Sequence, residues 1–224
     1  MPIVPEPSPF VFDLTRLQPG EDLVGVGADL APGTVLEAYA VGLFPMGIGR
    51  HGGEPLGWWS PDPRGVLRIG DLHVSRSLRR SLRGFEIRVD TAFGYVVAGC
   101  ADPSRDGGWI TPEIASAYTL LHDLGWAHSV EVFREGRLVG GLYGLAIGGL
   151  FAGESMFHQA TDASKAAVVG LHDLLASDGD PRRIIDVQWQ TDHLASLGVS
   201  AIPRQEYLRL LTDALRAPLP AAFS

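Results

Sequence analysis

A chain of 224 residues, 46% hydrophobic and 20% charged, carries enough apolar side chain for a full core in one large or two modest domains, and excludes wholesale disorder. A formal charge of −8 argues against indiscriminate coating of nucleic acid, although an acidic chain can still carry a local basic patch. The single Cys100 excludes an internal disulfide, no Cys/His spacing of a zinc framework occurs, and this usage fits a reducing cytosol.

In chain order, the opening MPIVPEPSPF lacks a basic stretch followed by an apolar one, so it reads as a proline-rich lead-in and not as a signal peptide. Residues 29–42 predict a helix, with Pro32 in its first turn, Leu36, Tyr39, Ala40 and Leu43 at helical spacing, and Gly42 to end it. Residues 45–64, rich in glycine and proline and ending in WWSPDPR, predict a turn-rich connection and the boundary between a small N-terminal domain, 1–62, and a larger one, 63–224. Residues 73–83 predict a short helix capped by Ser75, with Arg76, Arg79, Arg80 and Arg83 on one face. Thr111-Pro112 opens another helix running towards Gly125.

Residues 129–133 and the segment from Leu138 predict strands around an Arg134–Arg137 turn. The sixteen uncharged residues 138–153 predict a second hairpin, with Gly148 and Gly149 as its positive-φ pair and both apolar runs central in a sheet. Gly140, Gly144 and Gly148 also mimic a small-residue face of a membrane helix, but the run falls short of the ~20 apolar residues a span needs, and glycine doublets weaken a helix. Asp162 is placed to cap a helix carrying Lys165, with Gly179 past its end. Residues 184–190 alternate, with Ile185, Val187 and Trp189 on one face and Ile184, Asp186, Gln188 and Gln190 on the other. A short TDHLASLG helix and a final amphipathic one from Pro203, with Leu208, Leu211 and Leu215 inward, complete a mixed α/β chain with antiparallel hairpins at its centre.

The chemistry concentrates in residues 153–165, GESMFHQATDASK. Glu154 directly follows the apolar run, and burying a carboxylate costs several kcal/mol unless it is paired, so it is either tied to a structural partner or kept to hold a cation. Asp186, Gln188 and Gln190 project polar groups from a strand beside an apolar hairpin, where such groups need partners; a solvated sheet face is the bland alternative. Ser155 fails the nucleophile-elbow spacing, because Phe157 stands where glycine is required. No HExxH, CxxC, Walker A or post-strand GxGxxG occurs, His193 reads as a surface or capping residue, and the nearest acyl-CoA pyrophosphate turn, residues 137–142, fails at its last position. The arginine stripe is a solvated face or a phosphate surface, and Trp58, Trp59 and Trp109 are core residues or base-stacking platforms.

The blocks GADLAPGTVLEAYAVGLFP, WWSPDPR, LHVSRSLR, WITPEIASAY, LHDLGWAHSVEV, LVGGLYG, FAGESMF, DASKAA and IDVQWQTDHLASLG, in this order from Gly27 to Arg204, closely resemble the leucyl/phenylalanyl-tRNA–protein transferase family. The resemblance implies an α/β (α+β) fold, a small N-terminal domain followed by an acetyltransferase-like (GNAT-type) mixed sheet. It implies transfer of Leu or Phe from its tRNA ester to the α-amino group of proteins beginning with Arg or Lys, which marks them for cytosolic degradation. An activated ester needs no ATP, metal or other cofactor, and an α-amine of pKa about 7.7–8 is partly neutral near pH 7, so positioning supplies most of the rate.

By the same resemblance, Asp186 and Gln188 match residues proposed to relay charge so that the glutamine accepts a proton, and with Glu154 they make up the expected catalytic set. Glu154 and Asp186 are expected to form an acidic patch for the acceptor's terminal cation, while Gln188, polarised by Asp186, accepts a hydrogen bond from the amine. Leu142, Phe151, Met156, Leu171 and Leu175 match the hydrophobic slot, Tyr39 and Tyr118 match further substrate contacts, and Trp109 matches the residue stacking the terminal adenine. Arg76, Arg79, Arg80 and Lys165, the chain's only lysine, are the expected tRNA contacts. The chain departs from the pattern at Met46, where a second tryptophan often stands, leaving adenine stacking to Trp109 alone or with Trp58. The competing readings are an N-acyltransferase of the same superfold with another donor, and a non-catalytic binder of tRNA or N-terminal Arg.

Overall fold

The computed structural model describes every residue except 16, 19 and 105–107. Its lead-in is anchored: the Ile3 N–H donates to Leu124 O at 2.8 Å, and the Trp126 indole N–H donates to Ile3 O at 2.7 Å. Strand β1 (Leu23–Val26), helix α1 (Pro32–Ala40) and strands β2 (Phe44–Gly47) and β3 (Leu56–Trp59) follow, and the strands form an antiparallel sheet in the order β1-β3-β2. Much of the expected turn-rich connection is therefore strand. Its prolines are compatible with this because Pro45 lies on the edge strand β2 and Pro55 lies just ahead of β3. Trp58 and Trp59 belong to this sheet, their indole N–H groups each donating at 2.8 Å, to Gly27 O and Met46 O.

The larger unit runs β4 (Arg64–Arg68), α2 (Arg76–Leu82), β5 (Glu86–Val89), α3 (Phe93–Cys100), α4 (Pro112–Asp123), β6 (Ala127–Arg134), β7 (Arg137–Ile147), β8 (Leu150–His158), α5 (Ala163–Ala176), β9 (Ile184–Gln188), α6 (Asp192–Ala195), β10 (Ser200–Ile202) and α7 (Arg204–Ala214). Its seven strands are ordered β10-β4-β9-β8-β7-β6-β5, so the apolar hairpin β7–β8 is central as expected. Neighbours are antiparallel except β8 and β9, which are parallel. Mixed α/β is thus the fold class.

The helix starts follow their capping residues. Ser75 Oγ accepts from the Leu78 N–H at 3.2 Å, Thr111 Oγ1 from Ile114 at 3.4 Å and Thr191 Oγ1 from Leu194 at 3.3 Å. Asp162 is an exception. It stands ahead of α5 at φ +66° and makes no side-chain cap bond; its carboxylate accepts from the Ser81 hydroxyl at 2.7 Å, tying α2 to the start of α5. The second hairpin also differs from expectation. Only Gly148 has positive φ, +59°, while the Gly149 N–H donates to Ala214 O at 2.7 Å, at the end of α7. Of the glycines that mimic a membrane helix, Gly148 sits in the hairpin turn, while Gly140 and Gly144 serve close approach within β7: a Cβ on Gly140 would lie 2.7 Å from Ala163 Cβ, where α5 begins, and one on Gly144 would meet Ala152 O. No helix among the described residues is long and apolar enough to cross a membrane.

Two apolar layers cover the large sheet. One holds Leu78 of α2, the inner face of α5 and Leu194 of α6. The other holds residues of α3, α4 and α7, and it also contains Val35, Tyr39, Phe44 and Trp58 of the N-terminal segment beside Val66, Tyr143 and Leu150 of the large sheet. The two sheets therefore share one core.

Candidate active site

Strands β8 and β9 pair only over Leu150↔Ile184, Phe151↔Ile185 and Ala152↔Asp186. Beyond that point both strands bulge. On β8 the register passes from Tyr143↔Ser155 to Gly144↔Gly153, leaving Glu154 as the extra residue. On β9 it passes from Gly65↔Gln188 to Val66↔Asp186, leaving Val187 as the extra one, and Gln188 itself takes φ +58°. A glutamine in that region costs of order 1 kcal/mol or more and persists only where its surroundings impose it. Past the last paired residues lies a cavity of about 100 Å³, lined by residues 153–156 of β8, by Val187 and Gln188 of β9, and by Leu142, Val168, Leu171, Ile185 and Leu194.

Glu154 and Gln188 are the polar groups at this cavity whose placement the bulges decide. The Glu154 carboxylate accepts from the Tyr39 hydroxyl at 2.5 Å and the Tyr118 hydroxyl at 2.9 Å, and the two hydroxyls lie 2.7 Å apart. Burial pushes Glu154 up from its ordinary 4.5 to about 7, with nearby Asp186 adding to the rise, against the lowering effect of both tyrosine hydrogen bonds and Arg64. Burial likewise holds both phenols well above their ordinary 10, so they stay donors. The Gln188 Nε2 is buried and has no hydrogen-bond partner among the described residues.

Asp186 is fully buried and takes a different role from the one expected of it. Its Oδ1 accepts from Arg64 Nε at 2.8 Å and from the Gln188 backbone N–H at 3.0 Å; its Oδ2 accepts from Arg64 Nη2 at 2.7 Å and from the Tyr207 hydroxyl at 2.8 Å. With its charge matched by a guanidinium and both oxygens doubly engaged, Asp186 offers no free anion to an incoming cation. The expected patch of two carboxylates is therefore one carboxylate, Glu154, beside a closed Arg64–Asp186 pair. Arg64 is held cationic by Asp186 against the effect of burial, and its guanidinium lies 4.5 Å over the Tyr207 ring and 5.0 Å over Phe44.

Of the expected slot residues, Leu142, Met156 and Leu171 line the cavity, whereas Phe151 and Leu175 lie behind it in the surrounding apolar layer, Phe151 against Phe223. Tyr39 and Tyr118 meet Glu154 and not the cavity wall. Trp109 is partly buried just ahead of α4. Trp58 is 2% exposed and packed against Phe12, so it is closed to a base. Gln190 is structural, its Nε2 donating to Val199 O at 2.6 Å, and His193 packs near Ser164 with burial lowering its pKa. Arg76, Arg79, Arg80 and Arg83 are exposed and have no carboxylate partner among the described residues. Lys165 donates to Ser196 Oγ at 3.0 Å.

Arg64 and Tyr207 were absent from the expected site. The signal for Arg64 was available in WWSPDPR, where an arginine leads directly into the apolar strand GVL and so needs a buried partner. Tyr207 looked like any inward residue of an amphipathic helix.

A mixed α/β fold with a buried carboxylate and a glutamine at an apolar cleft frames the candidate site, and sequence comparison places the chain in a family. The sequence model described as leucyl/phenylalanyl-tRNA protein transferase matches residues 66–212, and that of the N-terminal domain of the same family matches residues 28–62. A leucyl/phenylalanyl-tRNA–protein transferase of Nitratidesulfovibrio vulgaris (strain DP4) is 50% identical over 204 residues, covering 88% of this chain and 85% of its own. One from Dechloromonas aromatica (strain RCB) is 52% identical over 190 residues, covering 83% and 79%. Among solved structures, a GCN5-related N-acetyltransferase from Kribbella flavida aligns over 64% of this chain and 55% of that one, at 12% identity and a TM-score of 0.40. The chain belongs to the leucyl/phenylalanyl-tRNA–protein transferase family, a family of aminoacyltransferases.

Proposed function

We propose that the chain transfers Leu or Phe from aminoacyl-tRNA to the α-amino group of proteins beginning with Arg or Lys, in the cytosol, and so marks them for degradation. The observation that supports this reading is the apolar cavity with Glu154 and Gln188 at its edge. The cavity takes the amino-acid side chain of the donor. The Gln188 carboxamide, an acceptor and a donor side by side, holds the attacking amine through Oε1 and donates through Nε2 to the ester carbonyl as it gathers charge. The amine nitrogen bonds to the carbonyl carbon, the carbon–ribose oxygen bond breaks, and the amine proton ends on the ribose oxygen, with the neighbouring hydroxyl of the terminal ribose as its shuttle.

Glu154, as the carboxylate, attracts the acceptor's cationic start. A value of about 7 makes that charge strongly pH-dependent in the working range. The α2 arginines and Lys165 hold tRNA phosphates. The Ser81–Asp162 hydrogen bond sets α2 beside the N-terminal end of α5, the helix whose Val168 and Leu171 line the cavity. Trp109 stacks the terminal adenine. The deciding experiment offers labelled leucyl-tRNA to a peptide beginning with Arg and to the same peptide beginning with Ala. Transfer to the first alone is expected; equal transfer to both removes the role given to Glu154, and transfer to neither removes the reaction.

A further inference from the structure

We infer that Arg64 and Tyr207 are positioning residues that act through Asp186 on the backbone of Gln188, holding the glutamine in the left-handed conformation that delivers its amide to the cavity. This rests on the role proposed for Gln188. In a regular strand, residues 186 and 188 would present their side chains to the same face. Here they part. Asp186 meets Arg64 and Tyr207 on the face covered by α7, while Gln188 reaches the cavity on the side of α5. The conformation that allows this is the φ of +58° at Gln188, and the hydrogen bond that closes it is the Gln188 N–H to Asp186 Oδ1 at 3.0 Å.

Asp186 can hold that N–H only while its own carboxylate is fixed. Arg64 fixes it through a two-point fork to both oxygens, Tyr207 adds a third contact to Oδ2, and the Arg64 Nη1–H donates to Gly42 O at 3.1 Å, which immobilises the guanidinium. The next residue of β4 completes the device. A Cβ on Gly65 would lie 2.8 Å from Trp189 C and from Gln190 N, so the kinked backbone fits only over a glycine. The dipeptide Arg64-Gly65 thus supplies both the strut and the space. Asp186 works by geometry, and the amide of Gln188 need not take up a proton.

The test is a double-mutant cycle between Arg64→Lys and Gln188→Ala, with leucyl-tRNA as donor and an Arg-initiated peptide as acceptor. Arg64→Lys keeps the charge and loses the fork. It is expected to lower kcat by about tenfold, the scale of one charge-assisted hydrogen bond, with KM for both substrates within about twofold of the parent and the pH–rate profile unchanged in shape. In the Gln188→Ala background the same change should have no further effect on kcat. Tyr207→Phe, which deletes a single oxygen, should show the same non-additivity, and it decides the question if Arg64→Lys fails to fold. Multiplying effects, a rise in the acceptor KM without loss of kcat, or a shifted pH profile overturns the strut. A Gln188→Ala variant that turns over like the parent instead overturns the role of Gln188 on which the strut depends.

Discussion

At the scale of single residues, Glu154 carries the strongest prediction. Because burial lifts it from 4.5 to about 7, the native state binds its proton more tightly than the unfolded chain does. Its stabilising contribution is complete below about pH 4.5 and is lost as pH rises through about 7, a change of roughly 3 kcal/mol. Denaturant unfolding from pH 5 to 8 should show the parent losing stability while Glu154→Gln stays nearly level; parallel curves would refute the assignment. Activity should move the opposite way, rising with pH as the carboxylate forms. Tyr39→Phe removes a hydrogen bond that lowers the Glu154 pKa, so the rising limb of its pH–rate profile should shift to higher pH. In the slot, Leu171→Phe narrows the cavity and should reduce kcat/KM for phenylalanyl-tRNA more than for leucyl-tRNA, by a factor of about ten or more. Competition between the two labelled donors measures that ratio. The sequence exposed Glu154, Gln188 and the apolar wall because their types conflict with an apolar strand context. It hid the partners of Asp186, since which carboxylate a buried arginine reaches depends on β4 and β9 being neighbours, and they are 122 positions apart.

At the scale of elements, helices and hairpins were legible where a local signal decides them. Ser75, Thr111 and Thr191 cap because their hydroxyls reach N–H groups three residues on, and the Arg134–Arg137 turn forms because Glu135 and Gly136 accept positive φ. The β2–β3 hairpin was illegible for the converse reason: glycine and proline signal turns locally, and only pairing with β1 and the burial of Trp58 make strands of those residues. The two bulges escaped as well, because a register shift is a property of two strands and neither sequence alone records it. Helix α2 permits an independent test. Replacing Arg76, Arg79 and Arg80 by Ala should leave the melting temperature within a few degrees, since all are exposed, and should weaken tRNA binding. The slope of log affinity against log salt should flatten by about two, measured by filter binding over a salt series.

At the scale of the whole molecule, the apolar layer containing α3, α4 and α7 runs without a break from Val35, Tyr39 and Trp58 into Val66, Tyr143 and Tyr207. A shared core predicts one cooperative unfolding transition, with calorimetric and van't Hoff enthalpies in agreement. Two resolved transitions would show that the segment before Arg64 folds by itself. The same architecture governs when competence arises during synthesis. Glu154 takes its hydrogen bonds from Tyr39, 115 positions earlier, and Tyr118, 36 earlier, while Asp186 waits for Tyr207, 21 later. No nascent chain that stops short of α7 can own a finished centre, however much of its sheet has formed. Under the strut proposed for Tyr207, the growing polypeptide stays inactive until α7 has left the ribosome and docked.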